Sequence, residues 1–107
     1  MTSTKATRTI TVKAPFDGHT IGEVPATDRK GVDRAVARAK QQLRQVRAGA
    51  FPAWKRAEVL DLAARTLRDR IEDFAHTIAV ESAKPIRTAR VEAQRAVSTL
   101  TFSSVSP

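Results

Sequence analysis

Apolar positions along the chain fall into four patterned stretches. Thr9-Ile10-Thr11-Val12-Lys13 alternates polar and β-branched residues, which suits a half-buried strand. Ala14-Pro15-Phe16-Asp17-Gly18-His19 carries turn residues, and Thr20-Ile21-Gly22-Glu23-Val24 returns as a second short strand that Pro25 ends. A β-hairpin over residues 9–25 is therefore expected. A lone hairpin is marginal in water, so it needs support from elsewhere.

The period then changes. Val32, Ala35, Val36, Ala39, Leu43 and Val46 lie on one face of a helix over about 28–48, with Thr27 or Asp28 placed to cap it. Its other face carries Arg34, Arg38, Lys40, Gln41, Arg44 and Arg47, and Gly49 with Phe51-Pro52 ends it. Leu60, Ala63, Leu67, Ile71, Phe74 and Ile78 follow at helical spacing, flanked by Val59, Ala64 and Ala75, and predict one long helix over about 53–82. Lys84-Pro85 forms a joint, because proline disfavours helix in the residue before it and opens a new helix well. A third helix over about 85–103 should bury Ile86, Ala89, Ala93, Ala96, Val97 and Leu100, and Ser103 to Pro107 reads as a non-helical tail. The fold class is thus mostly α, three helices behind an N-terminal hairpin, with residues 1–8 expected to be disordered.

Composition narrows the function. The chain has 107 residues, about one domain. Nineteen Lys and Arg against eleven Asp and Glu give a net charge of +8. The basic residues are spread and interrupted by acids, so most of this charge reads as solvated surface rather than a nucleic-acid footprint. No cysteine is present, which excludes disulfides, thiolate metal sites and cysteine nucleophiles within this chain. No apolar run reaches the length of a membrane helix, and the N-terminus lacks the apolar stretch of a secretory signal, so a cytoplasmic location is expected.

Candidate chemistry is sparse. The four glycines, Gly18, Gly22, Gly31 and Gly49, are scattered and make no phosphate loop. His19 and His76 have no metal-ligand spacing, and Ser103, Ser104 and Ser106 have no paired base. Asp61 with Arg65 and Glu72 with His76 read as i,i+4 helix pairs, and Trp54 as a local packing anchor.

A family resemblance rests on the order of five motifs. These are Phe16-Asp17-Gly18-His19-Thr20-Ile21-Gly22-Glu23-Val24-Pro25, Val32-Asp33-Arg34-Ala35-Val36, Phe51-Pro52-Ala53-Trp54, Glu81-Ser82-Ala83-Lys84-Pro85-Ile86, and Glu92 with Arg95-Ala96. Together they resemble the N-terminal part of NAD(P)-dependent aldehyde dehydrogenases, especially lactaldehyde and non-phosphorylating glyceraldehyde-3-phosphate dehydrogenases. The resemblance implies a hairpin and helices that belong to the cofactor-binding domain of an α/β fold. It implies a complete enzyme, usually a dimer or tetramer, that oxidises an aldehyde through a cysteine thiohemiacetal, hydride transfer to NAD or NADP, and glutamate-assisted hydrolysis. The catalytic cysteine and glutamate, the oxyanion-site asparagine and the cofactor-binding strands lie downstream of the matching part. The chain is therefore expected to be the opening of such an enzyme, truncated, inactive alone, and partnered by the remainder.

Two positions stand out against the family. Ala83 replaces a glycine that usually closes the helix in a left-handed conformation, so an altered cap or a shifted turn is expected here. Arg95 matches an arginine that, in relatives acting on phosphorylated or acidic aldehydes, lies along the substrate entrance, where a guanidinium fork suits an oxyanion. The competing reading of Arg95 is a surface residue paired with a neighbour such as Glu92. Two other functions remain open: an interaction module that docks on a separate dehydrogenase-like chain, and a basic helical nucleic-acid binder.

Overall fold

A computed structural model describes residues 8–105. Strands β1 (Arg8–Lys13) and β2 (Thr20–Ala26) form an antiparallel hairpin, followed by helices α1 (Arg29–Arg47), α2 (Ala53–Asp69), α3 (Ile71–Ser82) and α4 (Ile86–Val105). Mostly helical architecture behind a hairpin matches the expectation, but the described residues form four helices rather than three. The residues expected to be disordered lie outside the described part, except Arg8, which is paired with Ala26 in the hairpin.

The hairpin turn is closed from within. Gly18 takes a positive φ of 77°, and its N–H donates to the Ala14 carbonyl at 2.9 Å. The Asp17 carboxylate accepts from the His19 backbone N–H at 3.1 Å and meets the His19 ring Nδ1 at 2.5 Å. A register shift lies between Val12 and Lys13. Pro25 does not end β2, which continues to Ala26, because an edge strand tolerates a residue without an N–H.

Asp28 caps α1, accepting from the Gly31 N–H at 2.8 Å. Gly49, at a φ of 89°, lies just beyond the helix, and its N–H returns to the Val46 carbonyl. α1 has no buried residue: Val32, Val36 and Leu43 are each about half exposed. Among the described residues no element buries its apolar stripe, of which Val46 alone is partly covered.

The expected long helix over 53–82 is two helices. Arg70, at φ −118° and ψ 25°, ends α2 and precedes α3. Its N–H bonds the Leu67 carbonyl in a tightened last turn, and Glu72 and Asp73 then occupy the first turn of α3, where carboxylates favour a helix N-terminus. The break lets both segments lie along α4, which runs antiparallel to them. The ends of the seam show this direction: Trp54, Glu58 and Asp61 surround the same hollow as Ser104 and Val105, while Glu72 bonds Arg90.

That seam is built from small residues. Ala64, Ala75, Ala89 and Ala93 are fully buried, with Val97 close behind, and no large side chain is fully buried among the described residues. Ala64 and Ala75 sit at the contact rather than beside it, and the larger Leu60, Leu67, Ile71 and Ile78 stay half-buried. Ala96 and Ile86, expected inside, are exposed. Alanine faces let helix axes approach closely but remove little apolar area from water each. α4 also continues past Ser103 to Val105, using backbone bonds that need no favourable side chain.

The result is open. A compact domain of this size has a radius of gyration of about 13 Å. Here it is 17.9 Å, with extents of 50 × 38 × 20 Å.

Candidate functional site

The joint between α3 and α4 positions the residues singled out from the sequence. Ala83 has φ 55° and ψ 31°, the left-handed region. The expected change of cap does not occur: the glycine-like geometry is kept with a Cβ in place, because Pro85 and the seam fix where α4 must start. Lys84 ion-pairs with Glu92 across the joint. Arg90 of α4 reaches back to α3 and donates from Nε and Nη2 to the two carboxylate oxygens of Glu72, at 2.7 and 3.1 Å. This fork replaces the expected Glu72–His76 pair, since a permanently charged planar guanidinium binds a carboxylate better than an imidazole does. The hydrogen bonds to Arg90 hold the Glu72 carboxyl below its ordinary value, and Glu72 in turn raises Arg90. At the hairpin, hydrogen bonds from His19 lower Asp17. Arg65 pairs with Asp61 within α2, as the spacing implies.

Arg95 lies exposed on α4 and makes no ion pair among the described residues. Glu92, its expected neighbour, is taken by Lys84. Trp54 is not a packing anchor: it is 61% exposed, with the Lys55 ammonium 5.5 Å from its ring centroid.

No reactive constellation accompanies these residues. Among the described residues there is no cluster of three or more His, Asp or Glu that could hold a metal. The glycines make no phosphate loop either: they lie in the hairpin turn, in β2 and near the two ends of α1.

What the surface offers instead is uncovered apolar area. Val59, Leu62, Ala63, Leu67, Phe74 and Leu100 line a groove along α2, α3 and α4. Arg68, Val97, Thr101, Phe102 and Val105 line a second hollow along α2 and α4. Phe16 at the hairpin tip is 88% exposed. Among the described residues no helix is long and apolar enough to cross a membrane. Burial of each large side chain is worth roughly 1.5–3 kcal/mol, so faces of this kind favour a protein cover. The sequence stripes on α1 and α2 signalled these faces, but the groove across three helices needs the break at Arg70, which the stripe alone hides.

The known proteins that match this chain are several times longer than it. The model of the aldehyde dehydrogenase family matches residues 1–105. A putative aldehyde-dehydrogenase-like protein of Sinorhizobium fredii is 39% identical over 95 residues, which cover 89% of this chain and 18% of the relative. A 3-sulfolactaldehyde dehydrogenase of Priestia megaterium is 39% identical over 82 residues, covering 77% of this chain and 16% of that protein. The crystal structure of the glyceraldehyde-3-phosphate dehydrogenase GapN from Methanocaldococcus jannaschii, complexed with NADP, superposes with a TM-score of 0.79 at 27% identity. That match covers 87% of this chain and 20% of the neighbour. The chain spans a fifth or less of each of these proteins, corresponding to their N-terminal part. With a family match over nearly its whole length and the same backbone path as a solved member, this chain belongs to the aldehyde dehydrogenase family.

Proposed function

We propose that this chain serves as the opening segment of an NAD(P)-dependent aldehyde dehydrogenase, covering the cofactor-binding domain of the complete enzyme. The observation that carries this reading is the uncovered apolar surface: α1 and the α2–α4 groove have the faces of helices that lie on another layer. In the complete enzyme the aldehyde is oxidised to a carboxylic acid, with NAD or NADP as hydride acceptor. The nucleophile and the cofactor site come from the remainder, and a homo-oligomer in the cytoplasm accords with the family reading.

Within such an enzyme Arg95 lies along the substrate entrance and pairs an anionic group on the aldehyde. Its exposure and its lack of an ion-pair partner among the described residues leave the guanidinium available. Joined to the cysteine-bearing remainder of an aldehyde dehydrogenase, Arg95→Ala should raise KM for an anionic aldehyde while leaving a neutral one nearly unchanged. Equal effects on both would remove Arg95 from substrate binding.

The activity test is direct. Purified alone, the chain should give no aldehyde-dependent NADH or NADPH, because it contains no cysteine. Joined to the remainder, it should support turnover. Activity from the chain alone, or a joined protein in which these helices stay uncovered, would overturn the proposal. The same faces also suit docking on a separate dehydrogenase-like chain, and co-elution of the two polypeptides without covalent linkage would favour that second reading.

A further inference from the structure

We infer that the free edge of β1 is a docking site for an extended strand of a partner polypeptide, one with alternating apolar residues and carboxylates at its ends. The two edges of the hairpin are not equivalent, and Pro25 decides the difference. In an antiparallel pair, opposed residues alternate between those that exchange N–H···O bonds and those that do not. Pro25 lies opposite Thr9 and has no N–H, so Thr9↔Pro25 is a pair that does not exchange such bonds. By alternation the same holds for Thr11↔Glu23, while Ile10↔Val24 and Val12↔Gly22 carry the ladder.

Two consequences follow for the edges. On β1, the N–H and C=O groups of Thr9 and Thr11 point away from β2, an unbroken outward row. Among the described residues no backbone group outside the hairpin bonds them. On β2, the outward row is interrupted at Pro25, which offers no donor. One edge is blocked against strand addition and the other is open.

Side chains select the occupant. Ile10, Val12 and Val24 share one face of the hairpin, and Ile10 and Val24 are about half exposed, so an added strand with apolar residues at alternate positions would extend that face. Arg8 and Lys13 stand at the ends of β1, and β1 has no acid. A second copy is the wrong partner: antiparallel pairing of β1 with itself would bring Arg8 towards Lys13, between two chains each carrying +8. Among the described residues β2 is already paired with the other edge of β1 and every remaining element is helical, so none of them can take this edge. A carboxylate-ended strand from another polypeptide satisfies both the open backbone groups and the charge.

The probe is a synthetic peptide, Asp-Val-Thr-Val-Thr-Asp, whose two carboxylates fall on opposite faces as Arg8 and Lys13 do, added to the whole 107-residue chain with amide hydrogen exchange read by NMR. The expected result is exchange slowed about tenfold or more at Thr9 and Thr11, with Glu23 unchanged. A lysine-ended peptide of the same core should give less protection. Thr11→Pro should abolish the effect without breaking the hairpin's own ladder, for the reason that β2 tolerates Pro25. A peptide N-methylated at alternate residues makes the same test without altering the protein, and it too should fail to protect. Protection at Glu23 instead, equal protection by the lysine-ended peptide, persistence with the N-methylated peptide, or no protection at all would overturn the inference. So would concentration-dependent protection of Thr9 and Thr11 in the chain alone, which would mark a second copy as the occupant.

Discussion

Ala83 carries a Cβ into a backbone conformation that suits glycine, at φ 55°. The left-handed region crowds Cβ against the carbonyl that follows, so replacing Ala83 by glycine should stabilise the chain by about 1 kcal/mol. Thermal or urea denaturation of Ala83→Gly measures this, and an unchanged or lower midpoint would show that the joint is not strained. Glu72 makes a second residue-scale prediction. Its folded-state pKa lies below the ordinary 4.5, chiefly through the hydrogen bonds from Arg90. A depressed carboxyl contributes stability that is fully present above the ordinary value and is lost as pH falls through the folded one. A melting series from pH 6 to about pH 3 should therefore show a decline that is shallower in Glu72→Gln. The two series running parallel would count against the Glu72–Arg90 fork. Both features were partly visible in the residues. The departure from glycine at Ala83 could be seen, but its retained geometry could not, because that depends on how α4 docks. Glu72 was visible as an i,i+4 partner of His76. Its true partner lies eighteen residues on, beyond the reach of local spacing.

At the scale of elements, the period of the apolar positions located the hairpin, α1 and α4 well. It failed at Arg70 because helix-to-helix continuation across a single non-helical residue preserves the period closely. The only local mark is the acid pair Glu72-Asp73 in the middle of a stripe. The seam was also misweighted: large residues dominate a hydrophobic pattern, yet alanines make the contact here. This gives a prediction about the α3–α4 interface. Ala75 is fully buried, as is Ala89, and a larger side chain has no room. Ala75→Leu should cost about 1–3 kcal/mol, whereas the same change at exposed Ala96 should be nearly neutral. Chemical denaturation of the two variants compares them directly, and equal effects would mean that the seam is loosely packed.

As a whole molecule, the chain keeps its packing in α2–α4 and leaves the hairpin and α1 at its margins. A 19-residue helix without a buried residue is near the limit of stability in water. Seven basic residues against one acid on α1 add repulsion along its length. Such a helix needs a cover over Val32, Val36 and Leu43, the role proposed above for the remainder of a dehydrogenase.

Native-state hydrogen exchange of the chain alone tests this most directly. The account predicts that α1 amides exchange at close to the rate of an unstructured peptide, while those at the centres of α2 and α4 are slowed by the stability of the seam. Protection of α1 equal to that of α4, in the isolated monomer, would contradict it.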